Sequence, residues 1–227
     1  QNRGPGVTTE AGGYRLGALV AGSLGIAFDT YYNGGEPAED YSQIVLNGTR
    51  LDTAFDAFHP HGQLEDGQWH DAVIVWDADR KQLSYSLDGR IVASKVYDVV
   101  GLNFGGDPNA WFGFGAATGG AVSDHRVELI SMRSYGGAAG EGEAPGTDPF
   151  DDLLFSGSGG GSGAQIELVA DAPLNPAISV LGDAHASGSN YYYLTSNTTN
   201  QNGAIWGEID LAQDVTWNVK LSFGYND

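Results

Sequence analysis

The stretch DAVIVWDADRKQLSYSLDGRIVASKVY, residues 71–97, decides the fold class. Leu83, Tyr85 and Leu87 alternate with Gln82, Ser84 and Ser86, which is the period of a strand with one face buried. The run Trp76-Asp77-Ala78-Asp79-Arg80-Lys81 turns one such segment into the next, and Asp88-Gly89 gives a tight hairpin turn into Ile91. Outward from this stretch the pattern repeats. Further strands are predicted over 24–30, 43–46, 71–76, 82–87, 91–97, 110–116 and 126–133, and then over 152–155, 164–169, 204–211 and 215–223. Helical periodicity is nearly absent, so many short strands with short turns argue an antiparallel sandwich or jelly roll.

Two stretches interrupt the strands. Residues 136–149, GGAAGEGEAPGTDP, have the composition of a linker. Residues 156–163, SGSGGGSG, read as a natural loop or an engineered splice, with strand patterns on both sides favouring the loop. The chain has 227 residues, enough for one large all-β domain. It has 29 acidic against 10 basic residues and a formal charge of -19, which opposes binding to nucleic acid and anionic membranes and suits divalent cations or plain solubility. There is no cysteine, hence no disulfide framework or thiolate metal site. No apolar run reaches membrane-spanning length, and a secretion signal, if there is one, is expected outside these residues.

Three motifs stand in a recognisable order. They are Gly25-Ile-Ala-Phe-Asp29-Thr-Tyr31-Tyr-Asn33, then Glu65-Asp66-Gly67-Gln68-Trp69-His70 with Trp76-Asp77, then Trp111-Phe-Gly-Phe-Gly-Ala-Ala-Thr118-Gly119-Gly120 with His125. Together they resemble the legume-type (L-type) lectins, bacterial branch, over about residues 1–135. Residues 150–227 resemble the opening of the same domain, so the resemblance implies one sandwich over 1–227 in circularly permuted order. The implied fold is an all-β, concanavalin A-like antiparallel jelly-roll β-sandwich. It also implies a strand of the Gly-Ala-Asp-Gly-Ile-Ala-Phe type between the equivalents of Asp227 and Gln1, carrying an aspartate that grips sugar. These residues do not contain it. A cut through a tandem array, a strand donated by a partner chain, or unlisted residues would each account for that.

The resemblance implies a calcium site. Asp29 supplies a carboxylate, Tyr31 its backbone carbonyl and Asn33 its side-chain oxygen, with Glu36 or Asp40 as the next ligand. Hard oxygens on a flexible turn are what Ca2+ requires. An ordinary acidic surface loop is the plain alternative. The second metal of legume members is not expected, because Ala27 and Tyr41 or Ser42 stand where its Glu and His would be. For a glycan, the resemblance makes Tyr31 the aromatic plate, Asn33 the amide donor, and Gly119 and Gly120 the backbone N–H donors, with a simple glycine turn as the alternative for the last two. His59 and His61 read as solvated loop residues, His70 and His125 as strand-end hydrogen bonders, and the tryptophans mostly as core.

The expected function is therefore a calcium-dependent carbohydrate-binding domain, secreted or at the cell surface. The alternative is a structural repeat of an extracellular adhesin or fibre that contacts neighbouring copies. Without the absent strand, weak sugar binding is expected unless a neighbour supplies it. An enzyme is not expected. Glu208-Ile-Asp210-Leu-Ala-Gln213 approaches the Glu-x-Asp-x-x-Glu signature of glycan hydrolases of the laminarinase type. Gln213 replaces the last carboxyl, and retaining hydrolysis needs two carboxyls about 5 Å apart. Asn47-Gly-Thr49 and Asn197-Thr-Thr199 match glycosylation sequons by pattern.

Overall fold

The computed structural model describes residues 21–49, 51–135 and 178–224. The strands predicted over 152–155 and 164–169, the linker 136–149 and the glycine-serine stretch 156–163 lie outside them. The described residues form an all-β sandwich of antiparallel sheets with one short helix.

The first half contributes β1 (Leu24–Asp29), β2 (Asp40–Leu46), β3 (His59–Gly62), β4 (His70–Asp77), β5 (Gln82–Leu87) and β6 (Arg90–Val96). There follow α1 (Val99–Asn103), β7 (Asn109–Ala117) and β8 (His125–Tyr135). The second half contributes β9 (Ser179–Gly182), β10 (His185–Ala186), β11 (Tyr191–Tyr193), β12 (Asn202–Asp210) and β13 (Asp214–Phe223). The predicted strands that fall within the described residues are all present. Their ends move by one to three residues, and 82–87 keeps its bounds.

One sheet has seven strands in the order β10-β11-β8-β13-β4-β5-β6. Two three-stranded sheets, β1-β2-β3 and β7-β12-β9, supply the other layer. The halves interleave: β13 lies between β4 and β8, and β12 pairs with β7 along nine residues from Asn202↔Ala117 to Asp210↔Asn109. Leu83, Tyr85 and Leu87 are buried as their alternation predicts, but Ser84 and Ser86 are buried too, so both faces of β5 are covered rather than one. Tyr85, Ile44, Val127, Ile205 and Val215 belong to one core drawn from all three sheets. The Phe28 ring meets Tyr85 edge-on at 6.1 Å, and Phe112 lies 5.8 Å from Trp217, so both small sheets pack on the large one.

The β7–β12 contact depends on a missing side chain. A Cβ on Gly113 would lie 2.4 Å from the Trp206 ring and 2.4 Å from the Ile205 carbonyl oxygen, so only glycine lets the indole lie across the strand. Trp76, Trp206 and Trp217 are buried as expected, whereas Trp69 is 38% exposed and stands against Tyr191.

Candidate metal and glycan site

Strand β1 ends at Asp29, and register places Tyr41 of β2 opposite it. The carboxylate is buried, and the Tyr41 hydroxyl donates to Asp29 Oδ2 at 3.2 Å. Asp29 Oδ1 accepts the Tyr31 N–H at 3.1 Å, which folds the chain back over the carboxylate. Such side-chain-to-backbone bonds two residues on make a local turn. Within that turn the Asn33 amide donates to the Tyr31 carbonyl at 3.1 Å and reaches Glu36 Oε2 at 3.5 Å, while the Asn33 N–H donates to Glu36 Oε2 at 3.2 Å. Asp29, Tyr31, Asn33 and Glu36 thus form one hydrogen-bonded loop. Tyr31 and Tyr32 point outward, 56% and 61% exposed.

Asp40 is used elsewhere. It opens β2, and its Oδ2 accepts the Leu64 N–H at 2.5 Å. Burial pushes its pKa above the ordinary aspartate value, opposed by the backbone bonds from Leu64 and Glu65. Its carboxylate therefore ties the 64–65 turn to the start of β2. Thr30 makes a second tie, donating to Glu65 Oε1 at 2.8 Å.

Gly119 and Gly120 follow β7. The Gly119 carbonyl accepts the Asn200 N–H at 3.1 Å, and a Cβ on Gly120 would meet nothing within 4 Å. Thr118 anchors this turn: its hydroxyl donates to the Thr198 carbonyl at 2.7 Å and accepts the Gln201 N–H at 3.0 Å. The turn sits at the same end of the sandwich as Asp29. Phe28 is 5.6 Å from Phe223, which meets His125, the first residue of β8, at 6.3 Å.

No protein-family model matches this chain.

The histidines differ from a solvated-loop reading. His59 and His61 lie in β3, a strand that sequence periodicity did not reveal, because four residues with a proline and a glycine carry little pattern. His61 Nε2 is 2.6 Å from Ser42 Oγ, which is 2.5 Å from the Tyr85 hydroxyl. Burial pushes the His61 pKa down, with His59 and Arg90 adding to it. Ser42 is fully buried, so this triplet is a core network and not an accessible nucleophile. His59 instead faces Asp56 at 3.2 Å.

His125 and His70 do hydrogen-bond at strand ends. The Thr195 hydroxyl donates to the Ser123 carbonyl at 3.0 Å, so it must accept from His125 Nδ1 at 2.7 Å, which sets the neutral Nδ1–H tautomer. Burial pushes the His125 pKa down to about 4, against the opposing pull of Asp124. None of these partners was legible in sequence. The Thr195–His125 pair spans 70 positions and the Ser42–Tyr85 pair 43.

Proposed function

We propose that this chain is a calcium-dependent carbohydrate-binding domain of a secreted or cell-surface protein, with Asp29–Asn33 as its core site. The observation that carries the reading is convergence on one point. The Tyr31 carbonyl and the Glu36 carboxylate both face the Asn33 amide nitrogen, beside the buried Asp29 carboxylate. An electropositive N–H group occupies the place toward which hard oxygens point, and turning the amide over would add its own oxygen to the set. The donor set therefore fits Ca2+, with Asp29, the Tyr31 carbonyl, Asn33 and Glu36 as ligands. Glu36 is favoured over Asp40 because Glu36 is hydrogen-bonded to Asn33 within the loop, whereas Asp40 is turned to the Leu64 N–H. A bound calcium would neutralise the two carboxylates and fix the Asn33 rotamer.

For the glycan, Tyr31 offers an exposed ring to the apolar face of a sugar, and Asn33 offers amide hydrogens beside it. Gly119 and Gly120 supply backbone N–H groups from a turn at the same end. Binding rather than hydrolysis is favoured at the β12 end. Asp210 is a turn residue there, accepting the Ala212 N–H at 2.9 Å and the Gln213 amide at 3.2 Å.

The test pairs melting with glycan binding. Calcium at a hundredfold excess over its Kd should stabilise by about 2.7 kcal/mol, or roughly 5–10 °C, and chelator should reverse it. Asn33→Ala should remove both that shift and calcium-dependent binding on a glycan array. An unchanged melting temperature with calcium would reject the site. A second reading, a structural repeat of an extracellular adhesin or fibre, draws on the composition of residues 136–149, which is that of a linker between units.

A further inference from the structure

The segment between β11 and β12, residues 194–201, reads LTSNTTNQ. It carries no ionisable group, and neither do residues 117–123, ATGGAVS, which hold the Gly119–Gly120 turn. In a chain whose net charge is -19, these two uncharged segments lie side by side.

The segment is braced at its foot, across its base and along one side. At the foot, Thr195 is fully buried, and its hydroxyl joins the Ser123 carbonyl to His125. Across the base, the Gln201 side-chain oxygen accepts from the Ser196 N–H and, at 2.9 Å, from the Ser196 hydroxyl. Along the side, the Thr118 N–H donates to the Gln201 carbonyl at 2.9 Å, and the Gly119 carbonyl accepts the Asn200 N–H. The buried Thr118 hydroxyl adds its bonds to Thr198 and Gln201. Asn200 takes φ 58°, a left-handed conformation that asparagine adopts more readily than most residues.

The bracing fixes a loop whose tip is left to solvent. Asn197 and Thr199 are exposed, and neither side chain makes a hydrogen bond among the described residues. In the adjoining turn Gly120 is exposed, and a Cβ there would meet nothing within 4 Å. A carboxamide and a hydroxyl on a backbone already ordered lose less entropy when they bind a ligand.

We infer that residues 195–201 form the wall of a second sugar subsite beside the Gly119–Gly120 turn, so that the chain reads an uncharged oligosaccharide rather than a single sugar. The inference rests on the glycan reading above and deepens it. A first sugar held by Tyr31, Asn33 and the glycine turn would carry its next residue past Gly120 to Asn197 and Thr199. The carboxamide and hydroxyl there both donate and accept, as sugar hydroxyls do. A carboxylate or ammonium on that sugar would find no opposite charge in either segment, and a carboxylate would also oppose the net charge of the chain.

The experiment titrates the full chain by calorimetry with calcium present. The probes are mannose, galactose and glucose, linear trisaccharides of each, and the same trisaccharides with a uronic acid as the non-reducing residue. For the sugar that binds, the uncharged trisaccharide should bind at least tenfold more tightly than the monosaccharide. That is about 1.4 kcal/mol, which two hydrogen bonds to neutral groups supply. Asn197→Ala combined with Thr199→Val should bring the trisaccharide to within threefold of the monosaccharide on the same variant. Its melting temperature should not move, because both side chains are exposed and unbonded among the described residues. A gain that survives the double variant would overturn the subsite. So would a uronic-acid trisaccharide bound as tightly as the uncharged one. Asn197 also opens a glycosylation sequon, and an intact mass showing sugar attached there would make the loop a carrier of glycan and overturn it as a reader. Calcium-dependent monosaccharide binding with no gain for any trisaccharide would leave the first site standing and reject the second. Failure of every sugar to bind with calcium would reject both.

Discussion

His70 shows how a single buried side chain couples the sandwich to pH. Its Nδ1 lies 2.8 Å from Asp88, and its Nε2 lies 3.4 Å from Asp66. Burial opposes protonation, but the Asp88 hydrogen bond and the two carboxylate charges outweigh it, so the pKa is raised above 6.5. The stabilisation is therefore complete below pH 6.5 and is lost as pH rises through the folded value. Asp88→Asn keeps a residue that tolerates positive φ but removes the charge. It should lower the melting temperature at pH 5.5 by a few degrees, about 1 kcal/mol given the exposure of Asp88, and by clearly less at pH 8.5. Equal losses at both pH values would assign Asp88 to the turn alone. Sequence identified His70 as a hydrogen bonder but not its partner, since Asp88 is brought beside it only by the β4–β5 pairing. Sequence grouped Asp29, Tyr31 and Asn33 with Glu36 or Asp40 for the opposite reason: these residues are close in the chain, and one turn joins the first three to Glu36 by hydrogen bonds while Asp40 turns to Leu64.

The elements with regular alternation and strong turn residues were the ones sequence could place. The β5–β6 hairpin closes at Leu87↔Arg90, with Asp88 at φ 49° and Gly89 at φ 74°. Two successive positive φ values define the turn that suits the twist of paired strands, and Asp-Gly announces it. Gly89→Ala should destabilise by about 1 kcal/mol through backbone strain alone, because its Cβ would meet nothing within 4 Å. A denaturant midpoint unchanged from wild type would contradict that. Strands β3, β9, β10 and β11 went unread. They have four residues or fewer, too short for a period to show, and they exist because a longer neighbour offers an edge. Helix α1 has five residues and is started by the Asp98 side chain, which accepts the Gly101 N–H at 2.9 Å.

The whole molecule depends on the interleaving of its two halves. β13 separates β4 from β8, and its Val215, Val219 and Leu221 belong to the core. The Trp76 indole donates to the Leu211 carbonyl at 3.0 Å, and Asp214 accepts the Ala78 N–H at 2.7 Å, so the halves are also tied at the sheet end. A chain ending after residue 135 would leave β4 and β8 with facing open edges and the apolar core uncovered. It should show no cooperative thermal transition by circular dichroism, whereas the full chain should. A cooperative transition in the fragment would show that the first half folds alone. The all-β class, the hairpins and the loop that gathers Asp29, Tyr31 and Asn33 were determined by sequence, because alternation, turn chemistry and short spacing are local properties. Which strands lie side by side, and how His70, His125 and Ser42 are partnered, were decided only in three dimensions. Each depends on edges that meet across tens of residues, and no local pattern encodes which edge a strand will find.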